Sequence, residues 1–131
     1  LEGKPLLDVA NPLDFSGGFP PSVVQPDGRS LAEQLQDAFP GARVVKTLNT
    51  MNADVMAHPR SLAAPHSVFL AGDDADAKKA VAAVAEAAGF SPVDSGPLRN
   101  AAVLENLAVL WIHLALREGH GRSWAFKKMA R

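Results

Sequence analysis

The residues best placed for chemistry in this chain are amides rather than acids, bases or nucleophiles. The run Leu6-Leu7-Asp8-Val9-Ala10 leads into Asn11-Pro12, and Val44-Val45-Lys46-Thr47-Leu48 leads into Asn49-Thr50. Each run reads as a strand ending in asparagine, a side chain that both donates and accepts and tolerates turn conformations. Two asparagines on one rim could hold a carboxamide or a planar heterocycle through paired hydrogen bonds; alternatively, each closes its own strand with an Asx turn. A third run, Ser91-Pro92-Val93-Asp94, leads into Ser95-Gly96-Pro97. Gly96 permits close backbone approach and Ser95 can cap a following helix, so the stretch reads either as an anion or carbonyl site or as an ordinary strand-to-helix turn.

Other chemistries find little support. The sequence contains no cysteine, which removes disulfides, thiolate metal sites and cysteine nucleophiles. His58, His66, His113 and His120 show no metal-ligand spacing to one another or to a carboxylate. There is no G-x-S-x-G, no Walker motif and no G-x-G-x-x-G, so a dinucleotide's pyrophosphate has no recognisable cradle among these residues. Asp73-Asp74 is explained by a helix cap. A formal net charge of -1 gives no basic surplus for nucleic acid or an anionic membrane.

The elements that must position these residues follow from pattern. Strands are predicted over 5–10, buried on both faces, and over 43–48, 66–71 and 91–94, with a final edge strand near 124–127. Ser30 and Glu33 form a capping box for a helix over 31–38. A short helical turn is expected near 52–56. A helix over 75–88 shows Ala77, Val81, Val84 and Ala88 as its apolar face and Gly89 as its terminator. Residues 12–28, rich in Gly and Pro, read as a long loop, of the length that is usually functional. Residues 98–117 form the longest helix, apolar over more than one face, which suits a core or a subunit interface. The layering is α/β: a single domain over 1–131, a partial Rossmann-like, doubly wound and mostly parallel sheet with helices on both faces. In such sheets ligands bind outside the carboxyl ends of the strands.

Four segments in order, residues 6–15, 42–51, 67–78 and 93–107, resemble successive parts of the deazaflavin (coenzyme F-420)-dependent NADP oxidoreductases. The resemblance implies the C-terminal part of that family's Rossmann-type domain, without the G-x-G-x-x-G half that grips NADP. It implies that Asn11 and Pro12 lie near the nicotinamide, that Asn49 and Thr50 line the cleft, and that Ser95, Gly96, Pro97 and Leu98 face the deazaflavin or another second substrate. Ala102 stands where relatives often carry arginine before the glutamate matching Glu105. The Asn49-Thr50 strand end is also similar to pyrroline-carboxylate reductases. Hydride transfer needs two rings held face to face in a dry cleft, and the cofactors supply the chemistry, so no protein acid or base is demanded.

The expectation is therefore the C-terminal part of an NADP-dependent oxidoreductase that binds NADP weakly or not at all without its first half. Leu1 in place of methionine, so close to the first strand, is simplest to explain as a piece of a longer protein. A homodimer through the 98–117 helix, a small-molecule redox substrate, no nucleic acid, no membrane and a cytoplasmic location complete the expectation. The competing reading is a noncatalytic self-association module, or a reductase of another small substrate such as a pyrroline carboxylate.

Overall fold

Val44 and Val45, adjacent and both buried, point to opposite faces of a strand, so that strand must be covered on both sides. The computed structural model, which describes all 131 residues, shows how. Its elements are β1 (Pro5–Asp8), β2 (Leu13–Asp14), β3 (Ser22–Val23), α1 (Leu31–Ala38), β4 (Arg43–Lys46), α2 (Ala53–Ala57), β5 (Ser67–Gly72), α3 (Ala75–Ala88), β6 (Ser91–Asp94) and α4 (Ala101–Ile112). Val45 packs with Val68 and Leu70 against Val55 of α2 and Ala77, Val81 and Ala85 of α3. Val44 packs with Ala71 against Ala32 of α1 and Leu98, Ala101 and Leu104 at the start of the last helical run. Helices thus cover both faces of an α/β sheet, as the sequence predicts.

The sheet order is β1-β4-β5-β6. β1 runs parallel to β4, from Pro5 opposite Arg43 to Asp8 opposite Lys46. β6 runs parallel to β5. β5, however, runs antiparallel to β4, with Val45 opposite Gly72 and Lys46 opposite Ala71. A parallel return needs a crossover long enough to carry the chain back along the sheet, usually a helix. The helix between β4 and β5 has only 5 residues. The consequence governs the site: the carboxyl ends of β1 and β4 share one rim, and those of β5 and β6 lie at the other.

Several boundaries differ from expectation for physical reasons. β1 stops at Asp8, because the Asp8 carboxylate takes the Ala10 amide at 3.0 Å and turns the chain. It is an edge strand, with Leu7 42% exposed, and is not buried on both faces. The stretch 12–28 contains the β2–β3 hairpin and a short 3-10 turn. On α3 the buried face is Ala77, Val81 and Ala85, a strict four-residue spacing that turns Val84 outward. The long helix is a 3-10 turn at Leu98–Asn100, then α4, then a π-helical turn at His113–Arg117. Residues 124–127 form no strand. β4 reaches only Ala71 and Gly72 of β5, so the start of β5 is open on that edge; the Phe126 carbonyl accepts from the Ser67 amide there, too short a contact for a ladder. The capping box at Ser30 and Glu33 and the left-handed Gly89 (φ 108°) are formed as the sequence predicts.

Candidate functional site

The rim at the carboxyl ends of β1 and β4 brings Asn11 and Asn49 together. Asn11 Nδ2 donates to the Asn49 carbonyl at 2.8 Å, and Asn49 Nδ2 donates to Asn11 Oδ1 at 3.1 Å and to the Leu104 carbonyl at 2.9 Å. Neither side chain closes its own strand with an Asx turn; Asp8 does that for β1. Instead the amides tie the two strand ends to each other and to α4. These bonds use both N–H groups of Asn49, leaving Asn49 Oδ1 and the second N–H of Asn11 unengaged, and neither is a buried orphan. The rim therefore keeps one free acceptor and one free donor.

Pro12 is half-buried beside Asn11, and its carbonyl accepts from Val24 at 2.7 Å, which roots the β2–β3 hairpin on the rim. Thr50 is buried. Between Thr47 and Asn49, Leu48 adopts φ 61°, a left-handed conformation that costs a branched residue roughly 1–3 kcal/mol and is typical of functional turns. The buried Thr47 hydroxyl has no partner.

Beneath the rim lies a feature the sequence reading passed over. Lys46 is completely buried, and its ammonium donates to Asp8 at 2.9 Å, to Glu105 at 2.9 Å and to the Ala10 carbonyl. Glu105 is equally buried. It accepts from the Leu31 amide at the start of α1 and from Gln25 Nε2. Two carboxylates, one ammonium and a helix N-terminus thus fasten β1, β4, α1 and α4 together. The signal was present in the sequence: Lys46 inside an apolar strand and Glu105 inside an apolar helix can be buried only as partners.

Next in sequence to Thr50, Met51 places its Sδ 3.2 Å from His66 Nε2, and His66 packs edge-on against Phe90. Burial, helped by the nearby Lys127 charge, holds His66 below its ordinary value of 6.5. The folded state thus favours the neutral ring, while the unfolded chain takes up a proton near the ordinary value. The His66 contribution to stability is complete above that value and is lost as pH falls from it towards the folded-state value. Thermal unfolding should therefore show a midpoint that falls between pH 7 and pH 5, and His66→Leu should flatten that fall; an unchanged slope in the variant would assign the acid sensitivity elsewhere.

Residues 95–98 do not join this rim. The Gly96 carbonyl accepts from the Gly72 amide and from Lys78 Nζ, Ser95 donates its amide to Leu70, and Leu98 donates its amide to Asp73. These partners cluster at the carboxyl end of β5, opposite Asn11 and Asn49. Leu98 is 2% exposed and fills the core beside Val44, so it offers no surface to a substrate. Gly96, at φ 94°, serves a tight turn closed by Asp94 and Asn100. The antiparallel β5, not visible in local pattern, separates the two groups.

No family model matches the chain. It is 36% identical over 106 residues to the metalloreductase STEAP3 of Rattus norvegicus, a match that covers 80% of this chain and 20% of that protein. A crystal structure from Arthrobacter sp. FB24 named "putative F420 dependent NADP-reductase" superposes with a TM-score of 0.89 at 46% identity, over 100% of this chain and 60% of that one. A hypothetical protein from Sinorhizobium meliloti superposes with a TM-score of 0.64 at 28% identity, over 99% of this chain and 57% of that one. The chain thus spans about three-fifths of these solved relatives and one-fifth of STEAP3. It has a Rossmann-like α/β fold, and its resemblance to the solved structure named as a putative F420-dependent NADP-reductase holds along its whole length.

Proposed function

We propose that this chain is the C-terminal part of an NADP-dependent oxidoreductase and that its Asn11–Asn49 rim receives the nicotinamide end of NADP(H). The observation that carries the reading is the free acceptor and free donor left on that rim: a carboxamide offers the complementary pair. Pro12 and Thr50 flank the same position. These 131 residues hold no G-x-G-x-x-G turn to grip the pyrophosphate, so NADP binds weakly or not at all to them alone. NADPH, when bound, supplies the hydride; Asn11 and Asn49 orient the ring, and the hairpin rooted on Pro12 helps to exclude water. The hydride partner is a deazaflavin of the coenzyme F-420 type or a similar planar acceptor, approaching the same rim rather than residues 95–98. Two copies pair through the outer face of the 98–117 helical run, where Val103, Leu110 and Leu116 are 66%, 47% and 45% exposed.

The test is NADPH oxidation by the natural full-length protein, with coenzyme F-420 or a pyrroline carboxylate as acceptor. NADPH-dependent reduction of F-420 is expected. Reduction of the pyrroline alone would move the protein to that substrate, and failure to bind NADPH would overturn the reading. Light scattering of the same preparation should give a dimer; a strict monomer at high concentration would remove the dimer and leave the redox reading intact.

A further inference from the structure

We propose that Lys46 is a positioning residue, whose buried ion triad with Asp8 and Glu105 sets the geometry of the Asn11–Asn49 pair. The inference rests on the rim being the binding site, but its first readout does not. Lys46 lies three residues before Asn49 and reaches no surface, so it touches no ligand. Its ammonium holds the Ala10 carbonyl, the peptide that leads directly into Asn11. Its partner Glu105 follows Leu104, whose carbonyl takes the Asn49 side chain. Its other partner, Asp8, accepts the Ala10 amide and so fixes the preceding peptide, Val9–Ala10.

Both anchors of the rim are thus tied to the triad: Ala10, which precedes Asn11, is hydrogen-bonded by Lys46 and Asp8, and Leu104, which holds Asn49, adjoins Glu105. Burying two carboxylates and an ammonium is an expensive way to join strands, since apolar residues of similar volume often do as well or better. What the triad adds is direction. Ammonium and carboxylate bonds fix where each neighbouring peptide points, and a binding pair of amides loses its complementarity when one of them rotates. The same Glu105 also binds the Leu31 amide and Gln25, which couples the start of α1 and the end of the hairpin region to this geometry.

The experiment is Asp8→Asn in the natural full-length protein, which breaks the triad but keeps the Lys46–Glu105 pair. Glu105→Gln is a second variant should the first fail to fold. The readouts are the side-chain amide resonances and hydrogen exchange of Asn11 and Asn49, followed by NADPH titration. The expected result is altered side-chain shifts with side-chain exchange and the NADPH dissociation constant each raised about tenfold, while the backbone resonances of residues 95–98 stay in place. A folded variant with lowered stability but unchanged Asn11 and Asn49 amides would make the triad merely structural and overturn the proposal. Altered amides in a protein that binds no NADPH even in its wild-type form would uphold the positioning and sink the functional reading instead.

Discussion

Replacing Lys46 by methionine is expected to lower the unfolding free energy by about 3–5 kcal/mol, the usual cost of leaving a buried charge without its partner. Methionine matches the length of the lysine stem, so the loss would come from charge and hydrogen bonding rather than from a cavity. Asp8 and Glu105 would face each other across the site, with only the Ala10 and Leu31 amides and Gln25 to satisfy them. Both are buried, so solvent would not screen them. Urea unfolding followed by circular dichroism measures the effect. A matched variant separates charge from packing: Asp8→Leu, Lys46→Met and Glu105→Leu together should recover most of the lost stability, because removing every member leaves no unpaired charge. A single Lys46→Met within about 1 kcal/mol of wild type would mean that the triad carries far less than its burial implies.

Asn49 carries the second large effect, on stability and binding together. Asn49→Ala strips the donors from the Leu104 carbonyl and from Asn11 Oδ1, and an unsatisfied group in so enclosed a place costs about 1–3 kcal/mol. It also removes the free acceptor on which carboxamide binding would depend. NADPH affinity in the full-length protein should fall about tenfold or more, a loss of one directed hydrogen bond. Asn49→Asp is the sharper variant. It keeps an acceptor but points a carboxylate oxygen at two other oxygens in a site that is 4% exposed. At neutral pH it should be less stable than the alanine variant, and calorimetry on the pair would show the order. If aspartate were the better tolerated of the two, Asn49 would not be acting as a donor to Leu104 and Asn11.

Much of this architecture is legible in the residues because the deciding interactions are local. The capping box at Ser30, the aspartate cap and glycine stop of α3, and Val44-Val45 flanked by polar residues each act within a few positions, and each formed where the pattern put it. The rim asparagines were legible for the same reason: both follow apolar runs whose partners lie side by side in a parallel pair. Their hydrogen bonds to one another were not, because that contact depends on register between β1 and β4. The direction of β5 was hidden too. Nothing in Ser67 to Gly72 distinguishes a parallel strand from an antiparallel one, and only the brevity of α2 hints at it. That single reversal moved Ser95, Gly96, Pro97 and Leu98 to the far rim. Lys46 and Glu105 were passed over because an isolated charge in an apolar run reads as an interruption until its partner, 59 residues away, is brought beside it.

In the proposed function the cofactor meets the rim of β1 and β4, not the turn at residues 95–98. This is tested most directly by titrating NADPH into the isotope-labelled, full-length protein and following the side-chain amides of Asn11 and Asn49 together with the backbone amides of Ser95 and Gly96. The two asparagine side chains are expected to move and saturate together, while Ser95 and Gly96 remain where they were. Movement at Ser95 and Gly96 with both asparagine side chains unmoved would contradict it.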